Sequence, residues 1–431
     1  MKGIVAASMS RFLSKRVLLL SYMAAKIANY LPCCAKCIFL LILPFSNCMA
    51  MKLLVLNYEY PPLGGGAGVI SQYISEGLAA LGYDVTVLTT GTGQLPANTR
   101  IESLRIIRLP ARRKYTYRSN PLEMLSWMRL ANRFLDLHLK TEKYDLCFAN
   151  FSIPGGLVAL NMFRRTGLPY TLISHGHDIP WFFPRQMFWY HLMLYHTIRN
   201  VVLNSRLNFV QSDEMKRNID AFTGNVFSSK NVVVPNGWNG SVFAPDYSKR
   251  SKEFIVLFTG RLVRQKDPFT LLKAIRLLNG KIPVRLHIMG DGPLRKKMET
   301  YVEKYHLSDV CRFFGWVDKD EMLNQYQSAS LTVLPSLSEG MSIATLEALA
   351  CGQYVIATKV SNNEALISEG SNGNLIEIGN YKQLAELIQD FYQQKFMKGF
   401  LIDEHELDRY RTQYNWSDIV KQYDRYFVNL Q

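Results

Sequence analysis

What constrains this chain most is an alternation. From residue 51 onward, short runs of aliphatic and β-branched residues take turns with longer amphipathic stretches. Strand-like runs at 52–57, 84–90, 104–109, 145–149, 169–173, 207–211 and 231–234 are interleaved with helical periodicity at 68–81, 121–140, 156–165 and 186–200. Pro235-Asn-Gly-Trp-Asn-Gly240, Pro245 and the polar stretch Asp246 to Glu253 then interrupt the pattern. It restarts with strands at 254–259, 284–289, 311–314, 330–334, 353–357 and 374–378, and helices at 268–279, 294–305, 319–328, 341–350 and 381–394. Apolar runs this short, separated by helical crossovers, predict parallel strands. The fold class is therefore α/β, with two doubly wound Rossmann-like domains in series, 51–240 and 241–410, facing each other across a cleft. A final helix over 411–431 is expected to pack back on the first domain. Ligands should sit at the carboxyl ends of both sets of strands.

Charge is unevenly spread along the 431 residues. The net charge of +15 divides into +6 for residues 1–50 (six basic, no acidic), +8 for 51–245 (20 basic, 12 acidic) and +1 for 246–431 (24 basic, 23 acidic). Cys147, Cys311 and Cys351 are too scattered for a disulfide framework, which suits a reducing compartment. Cys34-x-x-Cys37 lacks a second pair or a nearby His and is not read as a metal site. The apolar runs of the first 50 residues, Val17 to Leu20 and Ile38 to Leu43, fall short of the roughly 18–20 residues that span a bilayer. A basic extension, dispensable or preceding translation from Met51, is expected there in preference to a membrane anchor or an export signal.

Three motifs carry chemistry. Pro61-Pro-Leu-Gly-Gly-Gly-Ala-Gly68 ends the first strand and opens a helix. Gly65 and Gly66 let backbone approach a phosphate or sugar at a helix N-terminus, although the same loop serves equally as a tight structural turn. Its spacing is not Gly-x-Gly-x-x-Gly, and no acid follows the second strand at Leu88-Thr-Thr90, which argues against a nicotinamide site. In the second half, Gly260-Arg261 ends a strand and Lys266 follows five residues later. Two cations there suit a diphosphate, or else decorate a solvated turn. Asp267-Pro268 reads as a helix N-cap with proline at N1. Third, Glu339-Gly-Met-Ser-Ile-Ala-Thr-Leu-Glu347 places two carboxylates at most roughly 12 Å apart on a helix rising about 1.5 Å per residue. The N–H groups of Met341, Ser342 and Ile343 lie between them, a layout for sugar, diphosphate and ribose. Asp318-Lys-Asp320 looks like a metal-binding Asp-x-Asp, but with Glu321 it reads as a helix cap.

In combination with Ser174-His-Gly-His-Asp178, Val234-Pro-Asn-Gly237, Met289-Gly-Asp-Gly-Pro293, Phe314-Gly-Trp-Val317 and Pro335 to Thr358, the sequence resembles the retaining glycosyltransferases of family 4 from Met51 to near the C-terminus. The resemblance implies the GT-B fold, an acceptor-binding domain over 51–240 and a nucleotide-sugar-binding domain over 241–410. It implies catalytic roles for His175, Arg261, Lys266 and Glu339. Arg261 and Lys266 would hold the departing diphosphate, Glu339 the transferred sugar and Glu347 the donor ribose. Gly65, Gly66, Asn236, Gly260, Gly292, Val317, Met341, Ser342 and Ile343 would complete the donor site, with Gly315-Trp-Val317 along the nucleobase. His175 would face the donor sugar with Asp178 behind it, whereas His177 would be structural or turned to the acceptor. The sequence departs from the common family pattern at Asp267, Met341, Ser342 and Gln353, which touches donor-pocket detail and no charged position.

No cofactor and no metal are expected, the donor being a nucleoside-diphosphate sugar. Arg105, Arg108, Arg112, Arg113, Lys114, Tyr115, Tyr117, Arg118 and Trp181-Phe-Phe-Pro-Arg185 suit an anionic membrane face. Peripheral contact with the inner face of the cytoplasmic membrane and a glycan or lipid-linked acceptor are therefore expected. A GT-B nucleotide-sugar epimerase and a nucleic-acid-binding protein remain as alternatives; no nucleic-acid motif supports the second, and nucleic acid is not an expected partner.

Overall fold

The computed structural model describes residues 50–430 other than 116–118, 183, 226, 241 and 361, and leaves out the side chains of 184–187. The basic extension with Cys34 and Cys37, and also Tyr117, Arg118 and the Arg185 side chain, lie outside the described residues.

The first sheet contains β1 (Lys52–Leu56), β2 (Asp84–Thr90), β3 (Asn98–Ile101), β4 (Leu104–Leu109), β5 (Leu146–Asn150), β6 (Tyr170–Ile173), β7 (Asn208–Val210) and β8 (Asn231–Val233). Its spatial order is β3-β4-β2-β1-β5-β6-β7-β8, parallel except for the antiparallel β3–β4 edge. Side chains alternate across β1. Leu54 and Leu56 enter one core with Trp127, Leu160 and Ile198, while Leu53 and Val55 enter another with Ile74, Leu78 and Phe427. Helices α1 (Gly66–Ala80), α2 (Pro121–Thr141), α3 (Leu157–Thr166), α4 (Pro184–Asn204) and α5 (Asp213–Thr223) flank this sheet.

The second sheet is wholly parallel, in the order β11-β10-β9-β12-β13-β14. Its strands are β9 (Phe254–Thr259), β10 (Val284–Met289), β11 (Cys311–Gly315), β12 (Leu331–Leu334), β13 (Tyr354–Thr358) and β14 (Gly373–Ile376). Phe254, Val256 and Phe258 face one core, and Ile255 and Leu257 the other. The associated helices are α6 (Pro268–Leu278), α7 (Arg295–Lys304), α8 (Lys319–Ser328), α9 (Ile343–Ala350), α10 (Asn363–Leu366), α11 (Tyr381–Gln394), α12 (Glu404–Gln413) and α13 (Trp416–Val428).

The C-terminal segment is two helices rather than the single one expected over 411–431, because the Asn415 side chain accepts from the Ser417 N–H and starts α13 afresh. That last helix lies on α1, so close that a Cβ on Gly77 would meet Val420 Cγ2 at 2.6 Å. Residues 51–431 thus form one unit in which the two sheets are tied by the returning chain.

In each sheet the chain order reverses beside the first strand, between β1 and β5 and between β9 and β12. A crevice opens at the carboxyl ends of the strands at such a reversal. The loops that leave these four strands hold the glycine run, Asn150 and its neighbours, Arg261 and Glu339.

Candidate active site

Arg261 leaves β9 through Gly260, whose φ of 145° is open to glycine. The neighbouring loop props this turn. The N–H groups of Gly260 and Leu262 donate to Met289 O and Asp291 O, both at 3.0 Å. A Cβ on Gly290 would overlap the Gly260 carbonyl oxygen, and one on Gly292 would lie 2.5 Å from Leu262 O. Gly292 therefore supports the Arg261 turn from behind. Arg261 itself is half-buried and has no ion-pair partner among the described residues. Such a guanidinium is ready to take an anion without first releasing one.

Lys266 is committed in this state. Its Nζ lies 2.6 Å from Glu339 Oε1, with both side chains largely buried, and Ser336 Oγ donates to the same oxygen at 2.7 Å. Gln265 fixes the two loops against each other: its Nε2 donates to Ser338 O, and its carbonyl accepts from Leu337 N. Asp267 takes the left-handed conformation (φ 39°), which explains why glycine suits that position. It precedes α6 as expected, but its carboxylate accepts from the Thr270 hydroxyl at 2.6 Å rather than from a backbone N–H.

The helix after Glu339 begins at Ile343, two residues later than the 341 start read from the sequence, because Ser342 takes the N-cap by accepting from Thr345 N. Glu347 lies on this helix, partly exposed, with Tyr326 OH 3.3 Å from its Oε2. Burial pushes the Glu347 carboxyl up to about 7, against the opposing pull of Tyr326 and the Lys319 charge.

The two sheets meet at this point. Asn236 Nδ2 donates to Met341 O at 3.1 Å and the Asn236 N–H lies 3.1 Å from Met341 Sδ, so its amide joins the halves. Ile343 packs into the core of the first sheet, with its Cδ1 3.6 Å from where a Gly66 Cβ would be. A Cβ on Gly340 would lie 3.7 Å from His175 O and 3.2 Å from Met215 Sδ. Gly340 therefore lies against His175 and Met215 where the two halves meet.

On the first-sheet side, Asp178 accepts from the N–H groups of His175 and Ser152, both at 2.8 Å, and from Ser152 Oγ. His175 Nε2 lies 3.1 Å from Asn150 Oδ1. Donation from Nε2 leaves Nδ1 as the lone-pair nitrogen, and that atom is buried without a partner among the described residues. Burial lowers the imidazole to about 3, so it is neutral at physiological pH. His177, read as structural or acceptor-facing, lies within electrostatic reach of the donor-side charges. Its imidazole is lowered to about 4 by burial first and Arg261 next, with Glu339 acting the other way. The His-x-His spacing was the available signal for it.

The glycine loop is in part the structural turn that the sequence also allows. The Gly65 N–H donates back to Glu59 Oε2 at 3.2 Å, and Glu59 in turn faces Arg113 Nη2 at 3.6 Å. In the first turn of α1 the Gly68 N–H donates to Gly65 O at 3.0 Å, which leaves the N–H groups of Gly66 and Ala67 without a backbone acceptor among the described residues. Val317 is half-buried against the second core, whereas Trp316 beside it is 62% exposed. Asp318 caps α8 by accepting from Glu321 N at 2.9 Å. Among the described residues, no cluster of three or more His, Cys, Asp or Glu could hold a metal ion.

Residues 242–411 match the family described as glycosyl transferases group 1, and residues 64–239 match glycosyltransferase family 4. The chain is 24% identical over 394 residues to an uncharacterised glycosyltransferase of Methanocaldococcus jannaschii, covering 86% of this chain and 96% of that one. It is 27% identical over 381 residues to a putative teichuronic acid biosynthesis glycosyltransferase, TuaC, of Bacillus subtilis, covering 82% and 92%. Among solved structures, sucrose-phosphate synthase of Thermosynechococcus elongatus superposes with a TM-score of 0.77 at 21% identity, over 88% of this chain and 99% of that one. HepE of Anabaena, solved with UDP-glucose, gives 0.68 at 18% identity, over 88% and 100%.

Proposed function

Because the chain belongs to the group 1 and family 4 glycosyltransferases and has the GT-B fold, we propose that it moves a hexose from a nucleoside-diphosphate sugar to an acceptor hydroxyl with retention of anomeric configuration and without a metal ion. The observation that carries this reading is the uncommitted, half-buried Arg261 beside the Lys266–Glu339 pair at the start of α9. In this reading the cations and the helix N-terminus would stabilise the charge that grows on a leaving diphosphate, the task that a divalent ion performs elsewhere.

In this reading the diphosphate is held by Arg261, Lys266 and the N–H groups at the start of α9. Lys266 then shares its charge between Glu339 and phosphate, freeing Glu339 to accept from sugar hydroxyls. Glu347 accepts from the ribose. UDP-glucose in HepE supports a donor of this class. The bond from sugar C1 to the diphosphate oxygen breaks, and the acceptor oxygen bonds to C1 from the same face. The acceptor proton passes to the departing phosphate oxygen. A same-face route is supported by the state of the nearby carboxylates: Asp178 accepts from Ser152 and His175, Glu59 engages Gly65 and Arg113, and Glu339 engages Lys266 and Ser336. Asp178 and Glu59 are thus committed within the protein, and in this reading Glu339, once released by Lys266, turns to the sugar hydroxyls.

The acceptor is proposed to be a lipid-linked glycan of surface polysaccharide assembly, met at the inner membrane face. TuaC, whose name places it in teichuronic acid biosynthesis, supports that class. Among the described residues, no helix is long and apolar enough to cross a membrane. The experiment is incubation with a panel of nucleotide sugars in the presence and absence of EDTA, followed by NMR of the product anomer. Donor turnover that survives EDTA and keeps the donor configuration supports the reading. An inverted product, or activity restored only by magnesium, refutes it.

A further inference from the structure

Several of the cations that the sequence offers to a membrane are engaged within the protein. Arg105 donates to Asn98, and Arg108 to Thr99 and Pro96 O. Arg113, whose side chain is only 2% exposed, reaches Tyr115 O, Tyr58 O and Glu59. Helix α4 shows the opposite situation on its apolar side. Tyr190, Leu194, Tyr195 and Ile198 pack into the first core. Phe188, Trp189, Leu192 and Met193 recur at i and i+4 spacing on the other face and stand in solvent, with Trp189 71% and Met193 76% exposed. His196 shares that face.

Two further observations say what covers it. No Asp or Glu occurs between Asp178 and Asp213, and the exposed Arg112 and Lys114 follow the carboxyl end of β4 at the same end of the sheet, so the surroundings of this face complement an anionic surface. Its position also matters. Helix α4 begins at the carboxyl end of β6, six residues beyond Asp178, and α2 begins after the carboxyl end of β4 with Leu122 77% exposed in its first turn. Both apolar starts thus lie at the end of the first sheet that holds His175. An amphipathic helix with exposed Trp, Phe, Leu and Met and no acid is the form that lies in a bilayer interface.

We propose that the Phe188-to-Met193 face of α4 is a membrane-insertion surface that seats the cleft on an anionic lipid bilayer. The proposal deepens the membrane-linked acceptor reading and rests on it for its purpose, but vesicle binding is measured without any transfer reaction.

The full chain is floated with vesicles of phosphatidylcholine alone and with about 30 mol% phosphatidylglycerol. Three forms are compared: wild type, the Trp189→Glu/Met193→Glu double variant, and an Arg112→Gln/Lys114→Gln double variant in which the exposed cations are removed. The expected result is a fall in partition of at least about tenfold for the α4 variant, with an unchanged thermal midpoint and a smaller fall for the Arg112/Lys114 variant. Quenching of Trp fluorescence by brominated lipid in the wild type, reduced in Trp189→Phe, gives independent support. Undiminished binding of the α4 variant overturns the proposal, whichever other segment provides the binding. So does a wild type that ignores vesicles and instead self-associates through this face in sedimentation. Absence of transferase activity with vesicle binding intact counts against the donor reading alone.

Discussion

Glu347 has a cost in the folded protein that a single atom exchange should reveal. Its carboxyl is pushed up to about 7 by burial, whereas an ordinary glutamate ionises near 4.5. Below pH 4.5 the group is protonated in both folded and unfolded chains and contributes nothing adverse. As pH rises through 4.5, the unfolded chain ionises first while the folded carboxyl keeps its proton to about 7. Folding stability is therefore lost across that window, and the loss is complete above it. The gap corresponds to about 3 kcal/mol, and the partial exposure of Glu347 lowers it to about 2. Glu347→Gln keeps the shape of the protonated form and does not titrate. Its stability relative to wild type should be near zero at pH 4 and rise to about 2 kcal/mol at pH 8, a gain of several degrees in thermal midpoint. The same variant should bind the donor at least about tenfold more weakly, because a carboxylate accepting ribose hydroxyls makes charge-assisted bonds of about 1.5–3 kcal/mol. Calorimetry at the two pH values and donor titration of both proteins test the pair of effects. A stability difference that does not change with pH, or unaltered donor affinity, refutes the reasoning.

Arg261→Ala and Lys266→Ala should each lower turnover by about 10²–10³-fold, but they should differ in stability. Arg261 has no ion-pair partner among the described residues and its loss should cost under about 0.5 kcal/mol, whereas Lys266→Ala strands Glu339 and should cost about 1–2 kcal/mol in thermal unfolding. Gly290→Ala places a Cβ against the Gly260 carbonyl at a φ of 123°, so it should displace the Arg261 turn and reduce both stability and donor affinity; a normal enzyme would refute the propping role of that loop. His175 stays neutral in the fold to about 3, whereas in the unfolded chain it takes a proton below its ordinary 6.5, so stability should fall as pH drops between those values. His175→Gln removes this contribution, and its acid unfolding should be correspondingly less steep.

The alternation of strands and helices was legible because parallel strands buried on both faces need unbroken apolar runs, and Lys52–Leu56 and Phe254–Thr259 supply them. β3 was not legible. Asn98-Thr-Arg-Ile101 is an edge strand with three exposed residues and has no apolar face to betray it. Helix α5 left a clear signal in Ser212 followed by Asp213 and Glu214, a cap and an acidic first turn, which the search for apolar periodicity passed over. The charged positions of the candidate site were readable because Arg261 and Lys266 follow β9, and Glu339 and Glu347 follow β12, the two strands beside the chain reversal. What supports them was not, since Glu59 to Arg113, Asn236 to Met341 and Tyr326 to Glu347 are pairings across 54, 105 and 21 residues that no local pattern encodes.

The candidate site holds two electrostatic burdens, a half-buried cation without an ion-pair partner among the described residues and a carboxyl held above its ordinary range. On the donor reading, a nucleoside-diphosphate sugar relieves both at once, with phosphate for Arg261 and ribose hydroxyls for Glu347. The relief is greater than two separate contacts, because each charge is also brought closer to the other's ligand in a cleft from which water is displaced. Ile343, packed in the core of the first sheet, and Asn236, bonded to Met341 O, are places where the second half of the molecule grips the first. Donor binding on one sheet thus acts on the same segment that holds His175 and His177 against it, and His177 is already within reach of the Arg261 charge. An anion placed on Arg261 removes one cause of the lowered His177 imidazole and should shift its titration upward. Proton NMR of the histidines with and without nucleoside diphosphate would show that coupling directly; a His177 titration indifferent to the nucleotide would mean that the two halves meet without communicating.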